Sequence, residues 1–357
     1  MKTSVKITGI GSYIPDQIAT NESFISNRFL NEDGSEIKDP NPVIIEKFKA
    51  ITGINARRYI EKNLVTSDIA FFAAEKAITE AGIDPESIDY IIVAHNYGDI
   101  KDGYIQSDTV PSLASRVKHL LQIDNPRCVA YDVLFGCPGW LEGVIQSNAF
   151  IKAGMAKTCL VIGAEALSRV IDKHDRDSMI YSDGAGAVIL QKIEGSEGGI
   201  LAHETVTHTR DEAHFIYFDK SNLKQDQETD KIRYIKMYGR KVYNFALSNV
   251  PLAMKSCLDK SGVDIKDIKK IFIHQANEKM DEAICQRFYK LFDMEMPQDV
   301  MPMSIGELGN SSVATIPTLL DMVKKKHMKG HDVQPGDHVI FASVGAGMNI
   351  NAVVYKM

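Results

Sequence analysis

One cysteine of this sequence stands at a turn where its thiol could act as a nucleophile. The run Tyr131–Trp140 reads YDVLFGCPGW: an apolar, strand-like stretch ends at a glycine, and Cys137 precedes Pro-Gly and a helical pattern over Leu141–Lys152. Proline is tolerated in the first turn of a helix, so the spacing predicts Cys137 at a helix N-terminus. The peptide dipoles there favour the thiolate and should lower the thiol pKa. The alternative is a buried structural cysteine, because free cysteines are among the most buried residues.

Three further clusters place polar side chains or glycines at strand ends or tight turns. His274 begins the run HQAN after an apolar strand pattern, where it can exchange hydrogen bonds inside a cleft or be an ordinary satisfied histidine. Asn310 lies in GNSSVATIP, whose Gly-Asn favours an unusual backbone conformation, unless Ser311 or Ser312 simply caps a helix. The Gly345–Gly347 turn offers backbone N–H groups for an oxyanion, or it is an ordinary hairpin turn.

The chain that must position these clusters has an ordinary globular composition. It has 357 residues, of which 44% are hydrophobic and 25% charged, with a formal net charge of −6. This acidic balance argues against nucleic acid as a partner. No apolar run approaches the roughly 20 residues of a membrane span. The five cysteines form no CxxC pair and the N-terminus lacks the apolar core of a secretion signal, which favours a cytoplasmic location and disfavours a disulfide framework or a zinc site.

Two segments of the sequence resemble each other, which indicates an internal duplication. Residues 73–95 and 253–275 each read as an amphipathic helix, a glycine stop, a short acidic turn and an apolar strand. We therefore predict two similar βα halves, 1–195 and 196–357, joined in the glycine-rich run Glu194–Gly199. The alternation of strands and helices predicts an α/β protein with a mostly parallel, helix-covered sheet.

Two other segments carry specific expectations. A long helical pattern covers Ile235–Lys260, and Pro251 is expected to kink or break it. The segment Asn27–Lys47 is polar and interrupted by acidic turns and prolines, so it reads as a surface loop or cap.

Taken in order, the clusters resemble the thiolase-like condensing enzymes, and most closely β-ketoacyl-acyl-carrier-protein synthase III. That family carries a cysteine on a strand-to-helix turn, a histidine in an HQAN motif and an asparagine in a GNTSAASIP-like motif, which here are Cys137, His274 and Asn310. The run YSDGAGA from Tyr181 looks like the family's FGDGAGA turn, and Thr52–Ile54 looks like its TGI. The resemblance implies a thiolase-like α/β fold of two similar βαβαβαββ halves, layered as α-β-α-β-α.

The resemblance also implies a decarboxylative condensation that makes a 3-oxoacyl product. The Cys137 thiolate would take an acyl group from a thioester, with the backbone N–H groups of Cys137 and Ala346 as the oxyanion hole. A malonyl thioester would then lose CO2, and neutral His274 and Asn310 would donate hydrogen bonds to the enolate oxygen. No metal is implied, because hydrogen-bond donors replace the Lewis acid, and no cofactor is implied, with coenzyme A or acyl-carrier-protein thioesters as the substrates. Acyl carrier protein and a second copy of the chain, as a homodimer, are the partners that the resemblance implies.

Neighbouring families differ at diagnostic positions. Degradative thiolases carry a second cysteine in the C-terminal glycine turn, which here reads GAGM from Gly345. Elongating synthases carry a second histidine where this sequence has Asn310. The resemblance therefore favours priming by a Cys-His-Asn enzyme.

Several residues bear on the substrate. Val110 occupies a position where many members carry a phenylalanine that shortens the acyl pocket across the dimer interface, so we expect a primer longer than acetyl, or a branched one. Trp140 either lines the site or packs in the core. The tryptophan and arginine that hold the coenzyme A adenine are replaced near Lys47 and Ile51, whereas Arg176 still looks like the family's arginine near the coenzyme. Acyl carrier protein could therefore deliver both substrates.

The remaining candidates are weaker. Lys279, just after HQAN, resembles a basic carrier-recognition position, or it is a solvated helix lysine. Asn277, the last residue of HQAN, and Gly345 and Gly347, in the glycine turn, are further candidate substrate-binding residues.

Two other functions stay open. One is a related ketosynthase of secondary metabolism that joins longer acyl or 3-oxoacyl thioesters, for example on the way to a resorcinol or an alkene precursor. The other is a catalytically inactive partner subunit, against which the intact Cys137, His274 and Asn310 argue.

Overall fold

The computed structural model describes residues 3–195, 197–224 and 231–357, and within them two large β-sheets have helices around and between them, beside two small two-stranded sheets. Ser196, in the run expected to join the two halves, lies outside the described residues. The strands are β1 (Thr3–Tyr13), β2 (Gln17–Thr20), β3 (Ala56–Tyr59), β4 (Tyr90–Ala94), β5 (Val129–Val133), β6 (Thr158–Ala166), β7 (Asp183–Glu194), β8 (Gly199–Thr207), β9 (Ile216–Asp219), β10 (Tyr234–Met237), β11 (Ile268–Ile273), β12 (His338–Gly345) and β13 (Asn349–Lys356). The helices are α1 (Asn41–Thr52), α2 (Thr66–Ala81), α3 (Leu113–Leu120), α4 (Gly139–Lys152), α5 (Gly239–Ser261), α6 (Glu278–Lys290), α7 (Ile305–Leu308) and α8 (Thr315–Lys324).

Both large sheets are mixed, with strand orders β1-β7-β6-β4-β5 and β11-β12-β13-β8. The pairs β4–β5, β4–β6 and β11–β12 are parallel, whereas β7 and β13 run antiparallel to both of their neighbours. The prediction of a mostly parallel sheet is therefore wrong. The physical reason is that only 3-10 turns separate β6 from β7 and β12 from β13, so no crossover helix carries the chain back to a parallel start.

The two segments that resemble each other in sequence have matching local structure. Gly82 and Gly262 end α2 and α5 in the left-handed conformation, and Asp84 and Asp264 then each accept a backbone N–H to open a short 3-10 turn. From β1 to β7 the chain follows βαβαβαββ, apart from the insertion of β2, α1 and β3. In the described part of the second half an irregular segment takes the place of the third strand, and its Val300 carbonyl still accepts an N–H from β11.

The helices and sheets form five layers. Helices α4 and α8 contact both sheets and lie between them, whereas α2 and α3 cover the outer face of the first sheet and α5 and α6 that of the second. The order α-β-α-β-α that the family resemblance implies is confirmed. No helix within the described residues combines the length and the apolar character of a membrane span.

The long helix of the second half differs from its prediction in two respects. A helix with a kink or break at Pro251 is predicted over Ile235–Lys260, but the first residues of this range form β10, which pairs with β9, and α5 begins at Gly239. Helix α5 also continues through Pro251. Proline leaves the carbonyl of Leu247 without its helical N–H partner, and Arg287 Nη1 donates to that carbonyl instead at 3.1 Å.

Helix α1 and the β9–β10 hairpin lie outside the two large sheets and line the functional site. The segment Asn27–Lys47, predicted to be a surface loop or cap, contains the start of α1, and an apolar cluster that includes Phe24 and Phe48 holds this helix in place. The β9–β10 hairpin packs through Ile235 against a second cluster that includes Tyr181. Both clusters border the cavity that contains the predicted reactive residues.

Candidate active site

The predicted reactive residues meet at one cavity of about 960 Å³. Cys137, His274, Asn310, Gly345 and Ala346 all line it. The cavity lies where the chain leaves β5, β11 and β12, and α1 and the β9–β10 hairpin form its outer walls. Three strand ends and one tight turn thus bring together side chains that are far apart in the sequence.

Cys137 is half-buried on the turn between β5 and α4, as the sequence predicts. Gly136 has φ 66°, a left-handed conformation that favours glycine, and a Cβ there would lie 2.7 Å from Ala346 N. The N–H of Gly139 donates to the Gly136 carbonyl at 3.0 Å and closes the turn. The turn therefore fits only when its first residue has no side chain.

The predicted lowering of the Cys137 pKa is wrong. Burial raises the pKa of the thiol to about 11. The Ser312 hydroxyl donates to Cys137 Sγ at 3.3 Å and offsets part of that effect, while the charge of Glu165 adds to it. The cost of burying a thiolate is the largest of these effects, so Cys137 is a thiol at neutral pH in the free site.

His274 follows β11 directly and is 4% exposed. Its backbone N–H donates to the carbonyl of Ala342 at 2.8 Å, which ties it to the end of β12. Burial lowers the pKa of the imidazole to about 4, and a backbone group of Ser312 opposes this only in part. The ring is therefore neutral at pH 7, with one N–H donor and one acceptor. Its Nδ1 is buried without a partner among the described residues.

Asn310 is fixed by three hydrogen bonds. Its N–H donates to Ile180, its carbonyl accepts from the N–H of Ser182 in the YSDGAGA run, and its side-chain Oδ1 accepts from the N–H of Ser312 at 2.8 Å. Because Oδ1 is engaged, the Nδ2 donors are the part of the amide left for a ligand. The unusual backbone predicted for Gly-Asn is present, since Gly309 has φ 62°.

Helix capping by Ser311 or Ser312, the alternative that the sequence left open, is absent. Neither Ser311 nor Ser312 makes a side-chain cap, and Ala314 is the N-cap residue of α8. Ser312 instead has φ 53°, which turns its hydroxyl to Cys137.

The glycine turn after β12 lies directly against Cys137. Gly345 is extended, and a Cβ there would be only 2.4 Å from Cys137 N. This close approach places the backbones of Cys137 and Ala346 side by side, where two N–H groups can serve one oxygen atom. Asn349 Nδ2 donates to the Ala346 carbonyl at 2.9 Å and holds the turn. The turn also closes the β12–β13 hairpin, so its interpretation as a hairpin turn is confirmed, and its role as an oxyanion hole stays a prediction.

The predicted substrate contacts separate into two groups. Arg176 and Asn277 line the cavity, and the Asn277 side chain also caps α6. Trp140 does not line it: it is 1% exposed and packs edge-to-face on Phe341, with ring centroids 6.2 Å apart. Of the two roles left open for Trp140, packing in the core is confirmed, and its place among the substrate contacts is wrong, because α4 directs this side chain into the core between the sheets.

Three other residues predicted to contact substrate do not line this cavity. Gly347 has φ 77°, and a Cβ there would meet Asn349 Nδ2 at 2.9 Å, so it shapes the turn and does not face the cavity. Lys279 is exposed on α6, and Val110 is 85% exposed on a loop. The roles of Lys279 with a carrier and of Val110 across a dimer interface stay predictions.

Sequence reasoning missed a buried polar chain behind Cys137. Glu165, at the end of β6, accepts hydrogen bonds from Asn96, and Asn96 donates in turn to Ser312. Burial raises the pKa of Glu165 to about 7. The signal that could have found it was a carboxylate within an otherwise apolar strand pattern.

Charged side chains of both signs surround the mouth of the cavity. Lys47 pairs with Asp39 at 2.6 Å, and Ile51 is exposed at the rim. Within the described ranges, no group of three His, Cys, Asp or Glu side chains could hold a metal ion. The charged residues of the lining are Glu32, Asp39, Lys47, Arg176, Asp177, Arg240 and Lys241.

Comparison with known proteins agrees with this geometry. The family model of 3-oxoacyl-[acyl-carrier-protein] synthase III matches residues 131–209, and the model of its C-terminal part matches residues 258–357. The β-ketoacyl-[acyl-carrier-protein] synthase III of Erythrobacter litoralis is 31% identical over 354 residues, which cover 98% of each chain. The chain belongs to the β-ketoacyl-[acyl-carrier-protein] synthase III family.

Solved structures of this family have the same fold. The enzyme from Aquifex aeolicus superposes with a TM-score of 0.80 at 27% identity, covering 99% of this chain and 100% of that one. The enzyme from Thermus thermophilus gives 0.80 at 28% identity, covering 99% of each. The protein is therefore a condensing enzyme of the acyltransferase type with a thiolase-like fold, a class of transferases of fatty acid biosynthesis.

Proposed function

We propose that this protein is a 3-oxoacyl synthase that primes chain synthesis by decarboxylative condensation of an acyl thioester with a malonyl thioester. One observation carries the proposal: Cys137, His274, Asn310 and the Gly345–Ala346 turn line a single cavity. A nucleophile, two uncharged donors and paired backbone N–H groups are the parts that acyl transfer and enolate formation require.

In the proposed first half-reaction the Cys137 sulfur attacks the thioester carbonyl. The N–H groups of Cys137 and Ala346 stabilise the tetrahedral oxyanion, and the carrier thiol leaves with the proton that Cys137 gives up. The buried, protonated thiol means that this proton is still present in the free site and is transferred during acylation.

In the proposed second half-reaction the malonyl thioester loses CO2 and its thioester oxygen becomes an enolate. Neutral His274 and the Asn310 amide donate hydrogen bonds to that oxygen. The enolate carbon attacks the acyl-Cys137 carbonyl, the C–S bond breaks, and the thiolate of Cys137 takes a proton from solvent to restore the thiol.

A longer or branched primer fits the walls of this cavity. Their apolar members, which could cover an acyl chain or the arm that carries it, come from α1, the β9–β10 hairpin and α6: Ile44, Phe48, Ile216, Ile235, Met237 and Met280. This lining also favours the second candidate function, condensation of longer acyl or 3-oxoacyl thioesters in secondary metabolism.

Delivery by a carrier and assembly as a dimer belong to the same proposal. Lys47, Arg176 and Lys241 at the mouth suit the phosphate of a carrier's prosthetic arm or of coenzyme A, and Lys279 presents a further positive charge on α6. Strand β5 is at the edge of its sheet, and exposed Leu134 follows it, so pairing with a second copy would cover both. The five unpaired thiols support a cytoplasmic location.

Intact-protein mass after incubation with an acyl-thioester panel tests the nucleophile and the pocket together. We expect one acyl adduct on the wild type and none on Cys137→Ala, with chains longer than acetyl reacting faster. Product analysis with malonyl- and 3-oxoacyl-carrier substrates separates the two candidate functions. An adduct that survives Cys137→Ala would defeat the nucleophile assignment, and a clear preference for acetyl would defeat the primer assignment.

A further inference from the structure

We propose that Glu165 and Asn96 are positioning residues that direct the hydroxyl proton of Ser312 onto the sulfur of Cys137. The juxtaposition is a continuous hydrogen-bonded chain from the buried end of β6 to the nucleophile. The inference deepens the proposed function, since it concerns the residue that this function uses as nucleophile.

The chain begins at a fully buried carboxyl. Glu165 is 0% exposed, and its Oε2 accepts from Asn96 twice, from the backbone N–H at 2.9 Å and from Nδ2 at 2.7 Å. Its Oε1 is buried without a hydrogen-bond partner among the described residues. Burial disfavours a carboxyl in this position, so the hydrogen-bond donors that face Glu165 must hold it there.

The side-chain hydrogen bond to Glu165 decides which way the Asn96 amide points. An amide can place either its oxygen or its NH₂ towards a neighbour, but only the NH₂ is compatible with an acceptor oxygen. With Nδ2 facing Glu165, the second hydrogen of the same nitrogen is donated to Ser312 Oγ at 3.2 Å. Glu165 therefore excludes the flipped amide, whose oxygen would instead accept the proton of Ser312.

That choice determines where the serine proton goes. Ser312 Oγ has one proton, and because it already accepts from Asn96, the proton is free for Cys137 Sγ at 3.3 Å. The left-handed backbone of Ser312 (φ 53°) holds the hydroxyl in reach of both partners. A donor aimed at the sulfur stabilises the thiolate that forms when Cys137 gives up its proton.

The other titratable groups around the sulfur do not provide such a donor at rest. Within the described residues the side-chain donor to Cys137 Sγ is Ser312, whereas burial keeps Tyr97 and Tyr181 un-ionised and His95 contacts Asp132 at 3.0 Å. The charge of Glu165 itself disfavours the thiolate. The hydrogen-bonded network therefore has two opposite effects on the pKa of the Cys137 thiol: the serine donor lowers it and the charge of Glu165 raises it. Variants can separate these two effects.

The test is the pH dependence of alkylation of Cys137 by iodoacetamide, with the modified residue located by peptide mass. The other four cysteines are buried, and Cys137→Ala gives the background. Ser312→Ala removes the donor, so the rate at pH 8 should fall about tenfold, which corresponds to a thiol pKa higher by about one unit. Ser311→Ala is the matched control, because that hydroxyl faces Thr315 and should leave the rate unchanged.

Asn96→Asp tests whether Asn96 acts through the serine. The new carboxyl shares one proton with Glu165 and presents an acceptor to Ser312, which turns the serine proton away from sulfur, so the rate should again fall about tenfold. In a Ser312→Ala background, Asn96→Asp should cause no further fall in the alkylation rate. Glu165→Gln keeps an acceptor for Asn96 and removes the charge, so the rate should hold or rise.

The outcomes separate this inference from the proposed function. A full tenfold effect of Asn96→Asp in the Ser312→Ala background would overturn it, and so would a fall in Glu165→Gln as large as that in Ser312→Ala. Alkylation reports on the thiol alone, so a wild type that shows these shifts but forms no acyl adduct would refute the proposed function and leave the network standing. A thermal unfolding midpoint close to the wild type shows that each variant is folded.

Discussion

Replacing Gly345 by alanine tests the oxyanion hole while every reactive side chain keeps its identity. Gly345 has φ −167°, an extended backbone that alanine adopts without strain, so only the added methyl group matters. That Cβ would lie 2.4 Å from Cys137 N, 2.8 Å from Pro138 Cδ and 2.9 Å from Cys137 Cβ. Such distances are about 1 Å too short for van der Waals contact, so the Cys137 backbone and the glycine turn must move apart.

The size of the effect follows from that displacement. Loss of one oxyanion-hole donor costs roughly 10²–10³-fold in the rate of acyl transfer, and a 1 Å misplacement costs about 10²-fold. Overpacking should lower the free energy of unfolding by about 1–3 kcal/mol, which leaves the protein folded. We therefore expect Gly345→Ala to slow single-turnover acylation of Cys137 by at least about 10²-fold while the thermal midpoint falls only modestly.

The assay is the rate of acyl adduct formation by rapid quench and intact-protein mass. Gly306→Ala is the matched control, because its added Cβ would meet only Asn55 Nδ2 at 3.4 Å and the Gly53 carbonyl at 3.5 Å, and Gly306 lies outside the cavity lining. Wild-type acylation by a folded Gly345→Ala protein would refute the assignment of this turn. An equal loss in the Gly306→Ala control would show that the assay reports stability and not the oxyanion hole.

Three other predictions concern the charge state of the site and the support of the fold. Because burial lowers the pKa of His274 to about 4, malonyl decarboxylation should stay level from pH 8 down to about pH 5 and fall only as the imidazole gains a proton; a decline centred near pH 6.5 would contradict this. Arg287→Met should lower the free energy of unfolding by about 1–3 kcal/mol in denaturant titrations, and by less in a Pro251→Ala background, where the helix regains its own N–H donor. Lys236→Met should lower the free energy of unfolding by about 3–5 kcal/mol at pH 7, because it leaves buried Asp172, 2.7 Å from Lys236 in the wild type, without its partner. Burial raises the pKa of the Asp172 carboxyl, but its hydrogen bonds lower the pKa by more, so the pKa lies below its usual value. The difference in stability from wild type should therefore shrink as acid protonates the aspartate below about pH 4.

The residues around the nucleophile could be predicted because their types are tied to local geometry. A strand that ends at Gly136 and a proline in the next turn define a strand-to-helix corner, and this corner is present. The positions of His274 and Asn310 at chain reversals followed from the same kind of pattern. Local sequence therefore predicts which residues sit at turns, and a family resemblance predicts which turns meet.

The errors arose where the outcome depends on distant parts of the chain. The direction of Trp140 depends on how α4 packs between two sheets, and its position next to Cys137 in the sequence does not show that. The continuity of α5 at Pro251 depends on Arg287 of another helix. The Cys137 pKa depends on the depth of burial, which opposes the helix terminus. Each of these is a tertiary effect that overrides a local preference.

The charges that the proposed chemistry needs are absent from the resting site and form during the reaction. Cys137 is a protonated thiol, the imidazole of His274 is neutral, and Asn310 offers an uncharged amide donor. Donors of this kind gain little from a neutral thioester but interact strongly with an oxyanion or an enolate in a buried pocket. Interactions that strengthen only as charge develops lower the barrier without tightening substrate binding. The raised pKa of Cys137, which at first argues against a nucleophile, is therefore consistent with one that is activated only when a thioester carbonyl lies against the Gly345–Ala346 turn.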